Sequence, residues 1–141
     1  VGAAGGLQFT KSGIDGAATA LWASNNIVWG NNAGTDRYDI DVSGLSANAA
    51  VLRYNHLGAI KGTPAPSSSN MTSGDPGFVM TTRDSYSDYA LKPVSSVRNS
   101  GNNSPAGGLT TWDVAGAKRV QGPAVDRGAF EIDELFGNGF D

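Results

Sequence analysis

The sequence predicts an all-β fold of short strands joined by tight turns, and three observations carry that prediction. Apolar residues come in short runs broken by Gly and Asn, several runs alternate apolar and polar residues, and Gly fills 20 of 141 positions, about twice its usual share of about 7%. Strict alternation places successive side chains on opposite faces of a strand. Gly and Asn tolerate the left-handed backbone that tight turns require.

The elements follow in order. Strand-sized runs are LQF at 7–9, ALW at 20–22, NIVW at 26–29, YDIDV at 38–42 and AAVLRY at 49–54. In the fourth, Tyr38, Ile40 and Val42 alternate with Asp39 and Asp41, which predicts a half-buried strand with both carboxylates on its solvated face. The runs are separated by SGIDG at 12–16, SNN at 24–26, GNNAGTD at 30–36 and SGLSANA at 43–49, all turn-forming compositions. AATALWAS at 17–24 has a helical composition but is shorter than the roughly 12–15 residues an isolated helix needs, so little or no helix is expected. KGTPAPSSSNMTSGDPG at 61–77 and RNSGNNSPAGG at 98–108 read as long surface connections. Between them Tyr86, Tyr89 and Leu91 fit either a short strand or one helical turn. Gly122 and Pro123 mark a turn, and Ala129 to Ile132 form a last short strand. Strand-turn units recurring every 20–25 residues or so, with Asn at the corners, fit a solenoid. A β-sandwich of short strands fits the same composition, and the residue pattern leaves both open.

Composition narrows the function. With no Cys and a single His, His56, the chain has no disulfide and no thiolate zinc site, and a His-based metal or Ser-His-Asp centre would depend on one residue. A net charge of −3, a pI near 4.9 and no basic block argue against nucleic acid or an anionic membrane surface as partner. No stretch approaches the roughly 18–20 apolar residues of a membrane span. The opening VGAAGG has no Met and no charged region before an apolar core, and it reads as either a mature product after cleavage or, the preferred reading, the visible end of a longer protein.

Six segments in a fixed order carry a resemblance: NNIVWGNNAG at 25–34, YDIDVSG at 38–44, YNHLGAIKG at 54–62, GDPGFV at 74–79, YALKPVSSVRNSG at 89–101 and TTWDVAGAKRVQGPAVDRGAFE at 110–131. Over residues 20–132 the chain resembles the C-terminal region of bacterial secreted right-handed parallel β-helix proteins, of the choice-of-anchor Q type. Two departures stand out. Val94 to Gly101 lacks the family's Pro and has Asn99 in place of its Asp, and Phe130 replaces a Tyr while keeping the ring. The resemblance implies an all-β fold of right-handed parallel β-helix (solenoid) C-terminal coils with a loop-rich C-terminal cap. Coils would occupy 1–60, long loops with short strands 61–109, a capping segment 110–132 and an exposed tail 133–141. Trp112, Val114, Val120, Val125 and Phe130 would cover the last coil. The LFGNGFD tail at 135–141 is similar to short C-terminal tails of exported Gram-negative proteins, which points to a secreted or cell-surface location.

The function implied is a non-catalytic structural or adhesion protein with no cofactor, able to self-associate end to end through an open coil, with polysaccharide as a further partner. The alternatives are the C-terminal part of a polysaccharide lyase or hydrolase whose active site lies upstream, and a secreted carbohydrate-binding β-sandwich. Nucleic acid and membrane insertion are not expected. Asp36, Asp39 and Asp41, with Asn31 or Asn32, are the Ca²⁺ candidates as hard oxygen ligands, though their spacing matches no calcium loop and a solvated surface is the favoured reading. Asp126, Arg127 and Glu131 have the residue types of an acid/base site, yet carboxylates in such closing turns more often accept backbone hydrogen bonds. His56 reads as a structural hydrogen-bonding residue. Trp22, Trp29, Tyr38 and Tyr54 could stack on sugar rings, but alternation favours core packing for each. The sequons at Asn70 and Asn102 are treated as chance.

Overall fold

A computed structural model of the protein describes residues 7–10, 20–31, 37–79 and 85–132. The turn at 12–16, part of the 17–24 segment, most of the 30–36 turn, Met80 to Asp84 and the tail from 133 lie outside the described residues. Among those described the fold is all-β, with one single-turn 3₁₀ helix at Tyr86–Tyr89. The chain divides into two compact units, Val1–Gly74 and Asp75–Asp141.

The first unit contains strands β1 (Leu7–Thr10), β2 (Leu21–Ser24), β3 (Ile27–Val28), β4 (Ile40–Gly44), β5 (Ala50–Arg53), β6 (His56–Leu57) and β7 (Ile60–Lys61). Every strand pair is parallel and joins a strand to the one three places on, giving sheets β1-β4-β7, β2-β5 and β3-β6. Leu21 pairs with Ala50 and Ile27 with His56, so the β2-to-β5 and β3-to-β6 intervals are the same, 29 residues. Single parallel bridges from Arg53 to Ser69 and from His56 to Thr72 extend two of the sheets. Each is an interval of 16 residues. The 61–77 segment, expected as surface connection, thus supplies bridge partners through its middle.

Sequence explains the corner between β2 and β3, and parallel register sets the matching one between β5 and β6. Asn25 and Tyr54 occupy matching places in the parallel register, and Asn70 follows at the place after Ser69. All three have left-handed backbone, with φ of 62°, 54° and 53°. Asn adopts this conformation readily, whereas a bulky residue such as Tyr is strained there. Beside this corner Asn55, 1% exposed, donates from Nδ2 to Ala23 O (2.8 Å) and accepts at Oδ1 from Asn26 N and Nδ2 (both 3.0 Å). One buried amide therefore ties neighbouring corners together.

Alternation fixes the core. Val28, Ile40, Val42, Ala50, Leu52 and Leu57 are buried together, with Phe9, Leu21, Ala23, Leu45 and Ile60 packed against them. Register places Leu21 and Ala23 over Ala50 and Leu52, Val28 over Leu57, and Ile40 over Ile60. At about 25 cal/mol per Å² of apolar surface removed from water, each fully buried aliphatic contributes roughly 1.5–3 kcal/mol. Gly62, φ +90°, passes so close to β4 that a Cβ would lie 2.6 Å from Ser43 N, which requires glycine there.

The second unit is built mostly of turns. Phe78 and Leu91 form an antiparallel bridge flanked by Val79 N to Ala90 O and Lys92 N to Gly77 O, both 2.8 Å. The Tyr86–Tyr89 turn, left open between strand and helix by the sequence, sets Tyr89 edge-on to Phe78 at 5.5 Å. Residues 97–101 are tied to 125–127 through Arg127 N to Val97 O (3.1 Å) and Gly101 N to Val125 O (2.8 Å). Leu91, Val97, Val125 and Phe130 are buried.

Two expectations for this unit are corrected. Residues 129–132 form no strand, because their backbone donors go to carboxylates instead: Glu131 N to Asp113 Oδ2 and Ile132 N to Asp126 Oδ2, both 2.9 Å. Of the five apolar residues expected to cover a coil end, Val125 and Phe130 are buried, whereas Trp112, Val114 and Val120 are 55%, 57% and 45% exposed. The reason is local pairing. Trp112 bridges Lys118 in an antiparallel turn, and period-two alternation sends Asp113 and Arg119 inward and their neighbours outward.

Candidate functional site

Of the calcium candidates, Asp36 and Asn32 lie outside the described residues. Asp39 and Asp41 are not the solvated pair expected from alternation, being 6% and 3% exposed. β4 is the central strand of its sheet, flanked by β1 and β7, so its outward side chains are screened by neighbours on both edges. Asp39 Oδ1 accepts from Asn31 N (2.8 Å) and Asn31 Nδ2 (3.2 Å), and Oδ2 accepts from Ala59 N (2.8 Å). Asp41 Oδ1 accepts from Ser43 N (2.9 Å) and Oγ (2.6 Å), while Oδ2 faces Lys61 Nζ at 3.6 Å. The two carboxylates are committed to separate donor sets. Among the described residues no three His, Asp or Glu side chains converge as metal ligands would.

His56 is 1% exposed, with Nδ1 at 2.9 Å from Thr72 Oγ1 and Nε2 at 2.8 Å from Gly74 O. Both ring nitrogens are used within the first unit, linking β6 to the segment that bridges it. Trp22 departs from the expected core packing and stands 55% exposed, its ring 5.9 Å from the Arg53 guanidinium carbon. Trp29, Tyr38 and Tyr54 are half-buried. Tyr38 carries Lys61 Nζ at 5.5 Å from its ring centre. Among the described residues the first unit thus shows two aromatic-cation pairs, each worth about 0.5–1 kcal/mol at an exposed site. Arg53 and Lys61 were missed as partners because sequence shows their alternation but not which strand lies beside them.

The second unit holds the most concentrated ionic chemistry. Arg119 Nη1 pairs with Glu131 Oε1 at 2.5 Å, and its Nη2 donates to Gly128 O (2.6 Å) and Asp126 O (3.4 Å). Asp126 N donates to both oxygens of Glu131 at 3.1 Å. Asp126 itself accepts from Asn99 N (2.6 Å) and Ile132 N (2.9 Å). Asp113 caps its own turn through Ala115 N (2.9 Å) and Ala117 N (2.8 Å) and receives Glu131 N. Burial pushes the Glu131 carboxyl up to about 7; the Asp126 and Asp113 charges add to that, while the Asp126 N–H and the Arg119 guanidinium oppose it. Burial raises Asp126 as well, against hydrogen bonds from Asn99 and Ile132 and the charges of Arg98 and Arg119.

A carboxyl with such a value is a common sign of acid/base catalysis. Here the Glu131 side chain is 2% exposed and the Asp126 oxygens receive backbone donors from Asn99 and Ile132. Arg127, the third residue of the expected acid/base set, is 5% exposed and directs Nε to Ser100 O (3.1 Å). Asp113 and Arg119 complete the cluster and were not singled out from sequence, and Asn99 entered only as a departure from the family pattern. Their only signal was alternation around Trp112 and Lys118, which marks Asp113 and Arg119 as inward-facing. No family model, no curated protein and no solved structure matches this chain.

Proposed function

We propose that the chain is a non-catalytic structural or adhesion protein of a bacterial surface or secreted assembly, built on a short right-handed parallel β-helix and associating through the edges of its coils. The observation that carries this reading is the pairing of each strand with the one three places on, always parallel, in three sheets around one apolar core. Parallel connections of this kind are right-handed in about 98% of cases. The commitment of Asp39, Asp41, Asn55 and His56 to internal hydrogen bonds supports it further, since polar groups used in this way hold a scaffold rather than turn over a substrate. Among the described residues β1 has a pairing partner on one edge, β4, and an unpaired edge is a template for a strand of another molecule.

The test is sedimentation velocity over a wide concentration range with negative-stain electron microscopy of the same samples. Growth along one axis with rising concentration is expected. A 14.4 kDa particle at every concentration would overturn the assembly role. The exposed Trp22 with Arg53 over its ring, and Tyr38 with Lys61, favour a second reading, an acidic polysaccharide held by stacking and charge. Retardation of the native chain in a gel containing polygalacturonate, lost in W22A, would support it; equal mobility of both would remove it.

A further inference from the structure

The chain's one histidine, His56, belongs to the first unit, so the second unit has no group that ordinarily titrates between about pH 5 and 8. It does have Asp113, Asp126 and Glu131 linked in a chain of hydrogen bonds, from Asp126 N to Glu131 and from Glu131 N to Asp113, with Arg119 in direct contact and Arg98 near Asp126. Arg119 is held independently of any carboxylate by two main-chain carbonyls. Glu131 Oε2 has a weaker set of partners than Oε1: it shares the Asp126 N–H at 3.1 Å, while Oε1 also takes Arg119. A proton on Oε2 would relieve repulsion among three carboxylates and leave the Arg119 contacts to Oε1, Gly128 and Asp126 in place.

We propose that the cluster is a proton-linked clasp: the second unit takes up a proton from solvent on Glu131 as it folds, and so closes more firmly in mildly acidic medium than in neutral or alkaline medium. The raised value of Glu131, about 7 against 4.5, fixes the sign. Between those values the folded unit binds a proton that the unfolded chain releases, so stability falls as pH rises through the window and levels off above about 7. Within that window the equilibrium constant for unfolding rises by up to about tenfold for each pH unit. The direction is opposite to that of an exposed salt bridge.

Only two glutamates, Glu131 and Glu134, occur in the sequence, so the full chain labelled with carboxyl-¹³C glutamate gives two assignable resonances, with E134Q removing the other. One midpoint near 7 is expected, and two midpoints below 5 would sink the proposal. Urea unfolding of a W22F/W29F chain, in which Trp112 alone reports on the second unit, should show a midpoint that falls from pH 5 to pH 8. In E131Q the pH dependence should shrink to that of the remaining carboxylates. An unchanged slope in E131Q would overturn the assignment to Glu131, and should E131Q not fold, the wild-type resonance decides.

Discussion

Replacing Gly58 with alanine tests the link between a glycine and a buried carboxylate. A Cβ at position 58 would lie 1.9 Å from Asp39 Oδ2 and 2.7 Å from its Cγ, so alanine forces the carboxylate from its place. That carboxylate holds Asn31 N, Asn31 Nδ2 and Ala59 N. Hydrogen bonds to charged groups are worth about 1.5–3 kcal/mol net, and stranded donors add their desolvation. Glycine-to-alanine lowers unfolded-chain entropy and returns at most about 1 kcal/mol. The expected loss for G58A is therefore about 3 kcal/mol, and D39A should lose about the same by removing the acceptor directly. Once Asp39 is alanine the space is open, so the double variant should lose about 3 kcal/mol rather than about 6, a coupling of about 3 kcal/mol. Urea unfolding followed by tryptophan fluorescence in a W112F background isolates the first unit through Trp22 and Trp29. Additive losses, or a G58A loss under about 1 kcal/mol, would refute the claim that Gly58 exists to admit Asp39.

Two further outcomes follow from the corner and from the corrected cap. Y54A and Y54N both remove the ring, but only Asn tolerates φ near 54° without strain, so Y54N should exceed Y54A in stability by about 1 kcal/mol in the same assay; equal stabilities would mean that the fold does not hold position 54 in left-handed backbone. V125A, at a residue 0% exposed, should cost the second unit about 2 kcal/mol, whereas W112A, 55% exposed, should change thermal stability by less than about 0.5 kcal/mol by circular dichroism. The reverse order would restore Trp112 to a covering role.

Local chemistry was legible and partnership was not. Alternation and turn composition alone placed the runs that become β1 to β5, the near absence of helix, and the turn at Asn25, because these depend on residues adjacent in sequence. The same reasoning could not see β6, β7 or the bridges at Ser69 and Thr72, since each is two residues or fewer and exists only by pairing with a strand 16 or more residues away. Tyr54 shows the difference most directly. Nothing about Tyr favours left-handed backbone, and its corner follows from the register that aligns it with Asn25 and Asn70.

The polar sites divide in the same way. Sequence read His56 as a hydrogen-bonding residue and Asp126 and Glu131 as acceptors in closing turns, and each makes such bonds. It placed Asp39 and Asp41 in solvent and Trp22, Trp112, Val114 and Val120 in a core, and the tertiary structure reversed all of these. Period two determines which side chains share a face of a strand. Whether that face is covered depends on what lies beside it: β1 and β7 flank Asp39 and Asp41, while the Trp112–Lys118 turn leaves its outer face open.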